Sequence, residues 1–171
     1  MGILVCGLNG SGKSTLGRAL AAALRLRFLD SEDLYFPDGR FDAPRTREEF
    51  LAALDAATRE GDFVFASVKG NGVQALRERI SLAIWVDAPR ETRLQRVRER
   101  SFRRFGERML PGGDLYAAEE RFFAQVASRS DEEMRAWAAQ LPWPVLRVDG
   151  TRPVQALVPE ICTWISETTG L

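Results

Sequence analysis

GLNGSGKS, residues 7–14, is the stretch of this 171-residue chain that decides its fold. It matches the pattern G-x-x-x-x-G-K-[ST] at every specified position. Glycines let a backbone wrap closely around a phosphate, so that successive N–H groups and the N-terminus of the next helix face the anion. In such a loop Lys13 would reach the β- and γ-phosphates, and the Ser14 hydroxyl would be a ligand of Mg²⁺. We therefore predict a nucleotide-binding loop. Its members are Asn9, Gly10, Ser11, Gly12, Lys13, Ser14 and Thr15.

The surrounding sequence alternates between strand and helix patterns. Residues 3–7 are an unbroken apolar run, typical of a strand buried on both faces of a parallel sheet. Residues 13–25 follow with leucines at helical spacing. The later strands are predicted at 27–30, 63–67, 82–86 and 145–148, and the later helices at 46–60, 73–79, 90–100, 114–139 and from about Pro153. Alternation of this kind indicates βαβ units in a single α/β domain over residues 1–171.

This loop in this setting resembles the P-loop NTPases, and the order of elements is similar to their small-kinase branch, which includes adenylate, shikimate and gluconate kinases. The resemblance implies a three-layer fold, in which helices flank a five-stranded parallel sheet of strand order 2-3-1-4-5. It also implies ATP as phosphoryl donor, a lid at about residues 100–113 and an acceptor-side flap at about residues 31–47. The motifs that carry it lie in residues 7–15, 28–37, 84–100 and 147–153.

Composition excludes several classes of protein. Lys+Arg and Asp+Glu number 24 each, whereas a protein that binds nucleic acid or membranes through bulk charge is normally more basic. The chain has no histidine, which excludes histidine-based catalysis and metal sites. Cys6 and Cys162 form no metal-binding spacing, and no apolar run approaches the roughly 20 residues that cross a bilayer. We expect a cytoplasmic protein without membrane or nucleic-acid partners.

Carboxylates follow the second predicted strand, where ligands bind in open parallel sheets. The stretch Asp30-Ser31-Glu32-Asp33 is similar to the Asp-x-Asp of shikimate and gluconate kinases, with Glu32 where Asp is expected. The resemblance implies that Asp30 helps to hold Mg²⁺ or takes the proton of the acceptor hydroxyl. Glu32 and Asp33 are further candidates for that base and for acceptor binding. The alternative is that Asp30 only caps the next turn or helix.

The third strand is followed by Lys69 and Gly70, at an expected sheet end. The Asp-Gly-Phe-Pro-Arg of adenylate kinases and the Gly-Gly-Gly of shikimate kinases are both absent, which argues against those two activities. Only Lys13 and Lys69 are lysines, and we predict that Lys69 binds an anionic group of the acceptor, with Gly70 allowing close backbone approach. A solvated loop lysine is the alternative.

Arginines and aromatic residues populate the predicted flap. Residues 35–41 include aromatic residues and Arg40, and Arg45 and Arg47 follow at the start of the next helix. In shikimate and nucleotide kinases, arginines of this region grip an acceptor carboxylate or phosphate, for which the planar guanidinium suits two-point contact. Arg45 and Arg47 are therefore candidate acceptor ligands, and an ordinary helix surface is the alternative.

Residues 90–108 contain eight arginines and three acids, a local charge of +5. A kinase lid needs such arginines to neutralise the transferring phosphoryl group. Arg100 and Arg104 are the main candidates, with Arg103 and Arg108 behind them, whereas Arg93 and Arg96 are expected to face solvent.

The last motif follows the fifth predicted strand. Residues 147–153 resemble the loop that packs on adenine in nucleotide kinases, with Gly150, Thr151 and Pro153 as the residues that would face the base.

Together these patterns predict an Mg-ATP-dependent phosphotransferase that acts on a hydroxyl of a small molecule of unknown identity. A nucleoside monophosphate or nucleoside kinase is the nearest alternative. A nucleotide-binding regulatory protein with slow ATPase activity and a polynucleotide 5′-kinase are the others.

Overall fold

Five parallel strands form the centre of the molecule, in the order β2-β3-β1-β4-β5. The computed structural model describes residues 1–37, 43–70 and 72–170. The middle of the predicted flap, including Arg40, lies outside these residues. The strands are β1 (Gly2–Cys6), β2 (Arg27–Asp30), β3 (Phe63–Ser67), β4 (Ile80–Asp87) and β5 (Val145–Asp149). The predicted sheet and its strand order are therefore confirmed.

Helices cover both faces of the sheet. They are α1 (Lys13–Leu24), α2 (Ser31–Tyr35), α3 (Arg47–Thr58), α4 (Arg90–Phe105), α5 (Tyr116–Ala127), α6 (Asp131–Ala138) and α7 (Val154–Thr169), with a 3₁₀ turn over Gly106–Met109. Among the described residues, every helix is too short or too polar to cross a bilayer.

Alternation along each strand separates two hydrophobic cores. Leu4 and Cys6 of β1 point into one core, shared with α3 and α6, whereas Ile3 and Val5 point into the other, shared with α1 and α7. All four side chains are fully buried, as expected when helices cover both faces of a parallel sheet. The result is three layers, with the carboxyl ends of the strands left free to carry a site.

Three predicted helices differ from the structure. Residues 72–79 form turns instead of a helix. The helix predicted over 114–139 is two helices, because Ser130 caps α6 by accepting a hydrogen bond from the Glu133 backbone N–H at 3.1 Å. The helix predicted over 90–100 continues to Phe105, so the first part of the predicted lid is helical.

Candidate functional site

The loop between β1 and α1 is held against the neighbouring β4 and α4 by close glycine contacts. A Cβ on Gly10 would lie 2.2 Å from the Arg93 carbonyl oxygen, and one on Gly7 would lie 2.4 Å from that of Val86. Gly10 also has a φ of 81° and Gly12 one of 102°, conformations that favour glycine. A side chain at Gly7 or Gly10 would collide with these carbonyl oxygens and push the loop away from β4 and α4. The structure thus supplies the strand, tight loop and helix that a phosphate cradle requires.

Lys13 is the first residue of α1 and is only 7% exposed. Burial lowers the pKa of Lys13, the nearby carboxylates of Asp30 and Glu32 act against that shift, and the charges of Arg100 and Arg129 add to it. Among the described residues, the Lys13 ammonium makes no hydrogen bond or ion pair. Because a buried unpaired charge is costly, this arrangement favours an anionic ligand.

Polar atoms of the same loop also lack partners. Asn9 Oδ1 and Ser11 Oγ are buried, and neither has a hydrogen-bond partner among the described residues. Buried polar groups are nearly always hydrogen-bonded in native proteins, so unpaired ones in a loop suggest a missing ligand. Ser14 and Thr15 lie in the first turn of α1, where Ser14 is half-buried and Thr15 exposed. The hydroxyl of Ser14 therefore suits a cation that solvent also reaches.

Asp30 ends β2 and caps α2, as the structural alternative predicted. Its Oδ1 accepts a hydrogen bond from the Glu32 backbone N–H at 3.0 Å. The carboxylate is nevertheless buried and acts on Lys13 electrostatically, and its other oxygen makes no hydrogen bond among the described residues. The cap therefore uses only one oxygen of the Asp30 carboxylate, and the other could contact a ligand.

The other two acids of this stretch differ in setting. Glu32 is half-buried and acts on Lys13, whereas Asp33 is exposed. Partial burial raises the pKa of Asp33, the charge of Asp30 adds to this, and Arg18 acts against it.

A cavity of about 220 Å³ adjoins the loop at Leu8, beside the chain that leaves β3. It is lined by Leu8, Val68, Lys69, Arg129, Ser130 and Glu133. Lys69 is neither free nor simply solvated, because its Nζ lies 3.0 Å from Glu133 Oε2 on α6. Gly70 follows with a φ of 73° and open space around it.

Arg129 is the residue of this cavity that the sequence analysis missed. It lies between α5 and α6 and is half-buried, and burial lowers the pKa of its guanidinium. Within residues 1–37, 43–70 and 72–170, the Arg129 guanidinium makes no hydrogen bond or ion pair. The sequence signal that could have found it is Ser130-x-x-Glu133, a helix-start pattern that ends the preceding helix just before Arg129.

Arg45 and Arg47 of the flap do not line this cavity. Arg45 Nη1 donates to the Leu34 carbonyl oxygen at 2.7 Å, which ties α2 to the start of α3. Arg47 is exposed on the first turn of α3. Their predicted role in acceptor binding remains a prediction.

The arginines of α4 are placed differently from expectation. The prediction that Arg93 and Arg96 face solvent was wrong: Arg93 is 1% exposed and Arg96 is half-buried. Arg93, Val97 and Ser101 form a buried stripe at i, i+4 spacing, so this face of the helix packs inward.

Arg100 and Arg104 are exposed, and the charge of Arg100 contributes to the lowered pKa of Lys13. The Arg104 guanidinium lies 5.4 Å from the centre of the Phe105 ring. Arg108, a further lid candidate, pairs with Asp114 at 2.6 Å.

A second cavity, of about 360 Å³, lies on the opposite side of the loop. Its lining includes Ser11, Gly12, Thr15, Arg96, Gly150, Thr151 and Pro153. Arg96 Nη1 donates to the Gly150 carbonyl oxygen at 2.9 Å and lies 3.4 Å from those of Gly10 and Ser11. The Thr151 backbone N–H and hydroxyl both donate to Asp149 Oδ1, which fixes the turn after β5. The predicted phosphate and adenine loops therefore share one cavity.

Comparison with known proteins agrees with this fold. The family model described as an AAA domain matches residues 3–107. A shikimate kinase from Symbiobacterium thermophilum is 35% identical over 151 residues, covering 74% of this chain and 83% of the relative. The uncharacterized protein YqaC of Bacillus subtilis is 29% identical over 96% of this chain and 97% of its own.

The crystal structure of shikimate kinase from Aquifex aeolicus superposes with a TM-score of 0.59 at 18% identity, over 99% of this chain and 98% of that one. That likeness shows the fold. The chain therefore belongs to the AAA domain family and, among the P-loop proteins, to the superfamily of small-molecule kinases.

Proposed function

We propose that the protein is an Mg²⁺- and ATP-dependent kinase that phosphorylates a hydroxyl of a small acceptor carrying an anionic group. The observation that carries this proposal is the position of the phosphate loop between two cavities. Leu8 lines one cavity, and Ser11 and Gly12 line the other. A phosphoryl group held by that loop would lie between a nucleotide on one side and an acceptor on the other, as transfer requires.

The loop side fits ATP and Mg²⁺. The loop amides and Lys13 would hold the phosphates, and Arg96, Gly150 and Thr151 would surround the base. Ser14 supplies an oxygen ligand of the kind that Mg²⁺ prefers, and Asp30 would be a second ligand only if Glu32 or Asp33 takes the acceptor proton. Bound there, Mg²⁺ would neutralise phosphate charge.

In the proposed reaction the acceptor oxygen forms a bond to the γ-phosphorus while the bond to the ADP oxygen breaks. Asp30 takes the hydroxyl proton, because one of its oxygens is engaged in the α2 cap and the other makes no hydrogen bond to any described residue. Lys13, together with Arg100 from α4, stabilises the charge on the transferring group. Glu32 and Asp33 are the alternative bases.

The acceptor side favours an anion. Arg129 and Lys69 are both partly buried in the 220 Å³ cavity, and Glu133 is its one carboxylate among the described residues. Two cations against one carboxylate leave a positive surplus, and within the described part of the chain the Arg129 guanidinium is the one that makes no hydrogen bond or ion pair. A carboxylate or phosphate on the acceptor would satisfy it by charge-assisted hydrogen bonds.

A nucleoside monophosphate is the second candidate acceptor, because its phosphate is also an anion that suits Arg129. A sugar acid and a nucleoside monophosphate differ in size and shape, so the rate of ADP release with each shows which of them the cavity accepts. A regulatory protein with slow ATPase activity would need no acceptor at all.

The test is ADP release from Mg-ATP across a panel of acceptors, with Lys13→Ala as the blank. The panel contains shikimate, gluconate, other sugar acids, nucleosides, nucleoside monophosphates and short oligonucleotides. We expect one acidic small molecule to stimulate ADP release several-fold, with no stimulation in the blank. Stimulation only by uncharged acceptors would contradict the proposed role of Arg129, and a flat panel with tight ATP binding would favour the regulatory alternative.

A further inference from the structure

Arg93 is a fully buried arginine that none of the proposed chemistry uses. It lies on α4, and its backbone packs directly against the phosphate loop, where a Cβ on Gly10 would approach its carbonyl oxygen to 2.2 Å. The side chain is 1% exposed, and its Nη1 is buried without a hydrogen-bond partner among the described residues. Arginine is rarely buried to this extent unless it is paired. Its remaining contacts should therefore identify what the burial achieves.

Those contacts lead away from α4 to the first turn of α6. Arg93 Nε donates to the Ala88 carbonyl oxygen at 3.1 Å, and Nη2 donates to Asp131 Oδ1 at 2.6 Å. Asp131 is the first residue of α6 and stands two positions after Arg129. Breaking a pair with a buried charge is much more costly than breaking one at the surface. The Arg93–Asp131 pair therefore holds the start of α6 firmly against the helix that borders the phosphate loop.

The same turn of α6 is tied on its other side. Glu133 donates its backbone N–H to the Ser130 cap at 3.1 Å and pairs with Lys69, two residues after the end of β3. The segment that carries Arg129 is thus tied at Asp131 to α4 and at Glu133 to the loop after β3.

We propose that Asp131, acting through Arg93, is a positioning residue. It holds the Arg129 guanidinium over the acceptor cavity, at a fixed position relative to the phosphate loop. The proposal rests on the proposed function, in which Arg129 binds the anionic group of the acceptor. It assigns a role to two residues that touch neither substrate.

The first test compares Asp131→Asn with Asp55→Asn. The two carboxylates are equally exposed, 43% for Asp131 and 44% for Asp55, but Asp55 pairs with the more exposed Arg59 and Arg79 away from both cavities. We expect Asp131→Asn to raise the acceptor KM about tenfold while the ATP KM stays within about twofold. Asp131→Glu should recover part of the loss, and Asp55→Asn should change neither KM. An unchanged acceptor KM, or equal rises in both KM values, would overturn the proposal.

The second test asks whether Asp131 acts through Arg129. If it does, Asp131→Asn should add little to Arg129→Met, and the double variant should have the acceptor KM of Arg129→Met alone. If the increases in acceptor KM of Asp131→Asn and Arg129→Met multiplied in the double variant, the positioning role would be contradicted. A wild-type protein that turned over no acceptor would overturn this proposal and the proposed function together. An active wild type that Asp131→Asn does not alter would overturn only this one.

Discussion

The Arg96 guanidinium donates a hydrogen bond to the Gly150 carbonyl oxygen at 2.9 Å, across 54 residues of sequence. This contact joins the helix after β4 to the turn after β5, and both residues line the 360 Å³ cavity in which we propose that ATP binds. Arg96 also lies 3.4 Å from the carbonyl oxygens of Gly10 and Ser11, so one side chain connects the two loops that the proposed ATP would touch.

Arg96→Met should therefore weaken ATP binding without affecting the acceptor. We expect the ATP Kd to rise about tenfold, because a charged hydrogen bond that orders the base site is lost. Titration calorimetry with Mg-ATP measures this directly. Arg98→Met on the same helix is the control, since Arg98 is exposed and pairs with Glu120 on α5. An equal increase of the ATP Kd in the two variants would show that the positive charge of α4, and not the hydrogen bond of Arg96, determines ATP binding.

Asp30→Asn separates the two roles of Asp30. Asparagine caps helices about as well as aspartate, so the bond from the Glu32 backbone N–H should persist and Tm should hardly change. Loss of the charged oxygen should nevertheless lower kcat at least about 100-fold, as expected for removal of a general base. Asp30→Ala should lower both Tm and kcat. If Asp30→Asn kept wild-type turnover, the residue would be a cap alone.

Lys13→Met should have opposite effects on stability and activity. Removal of a buried ammonium that has no partner among the described residues should raise the Tm of the ligand-free protein by roughly 2–5 °C, while Mg-ATP turnover is lost. Thermal unfolding without nucleotide measures the first effect. A wild type more stable than Lys13→Met at pH 7 would mean that the ammonium has a partner in the free protein.

The same comparison has a defined pH dependence. Because the pKa of Lys13 is lowered by burial, the folded state binds fewer protons than the unfolded state between that lowered pKa and the ordinary value of 10.5. Wild-type stability should gain from Lys13 as pH rises through this window. The Tm advantage of Lys13→Met should therefore be complete below the window and shrink toward pH 10.5. A pH-independent difference would exclude Lys13 as its source.

Lys69→Met should affect the acceptor alone. Lys69 lines the 220 Å³ cavity proposed to bind the acceptor and pairs with Glu133, so its loss should raise the acceptor KM several-fold and leave the ATP KM unchanged. Initial rates with each substrate varied in turn measure both constants. Lys69→Arg keeps the charge and should recover part of the affinity. A Lys69→Met variant with both KM values of the wild type would mean that the pair with Glu133 is only a surface contact.

Local patterns predicted most of the fold. The strand at Phe63–Ser67 has the predicted bounds, because an apolar run between turn residues is a local signal. Residues 73–79 were predicted as a helix but form turns, since a segment of that length gains little from helix formation on its own. The burial of Val73 and Leu76 instead follows from contacts with the α3 side of the core.

The site was predictable only where its residues are contiguous. The spacing of glycine, lysine and serine over residues 7–14 predicted the loop. The resemblance predicted a turn at Gly150 and Thr151, and the structure has a turn there. Arg93 could not be distinguished from its exposed neighbours on α4, because the partner that permits its burial, Asp131, is 38 residues away. The position of Arg129 likewise depends on where a helix ends, which charge patterns do not report.

The most direct test of the central claim follows the γ-phosphoryl group itself. Wild-type protein and Lys13→Ala are incubated with Mg²⁺, each acidic acceptor of the panel and ATP labelled at the γ-phosphate, and the label is separated into inorganic phosphate and organic phosphate. A small-molecule kinase should place most of the released label in a new phosphate ester of one acceptor, and Lys13→Ala should place none there. Label that appears only as inorganic phosphate with every acceptor would contradict phosphoryl transfer and leave an ATPase.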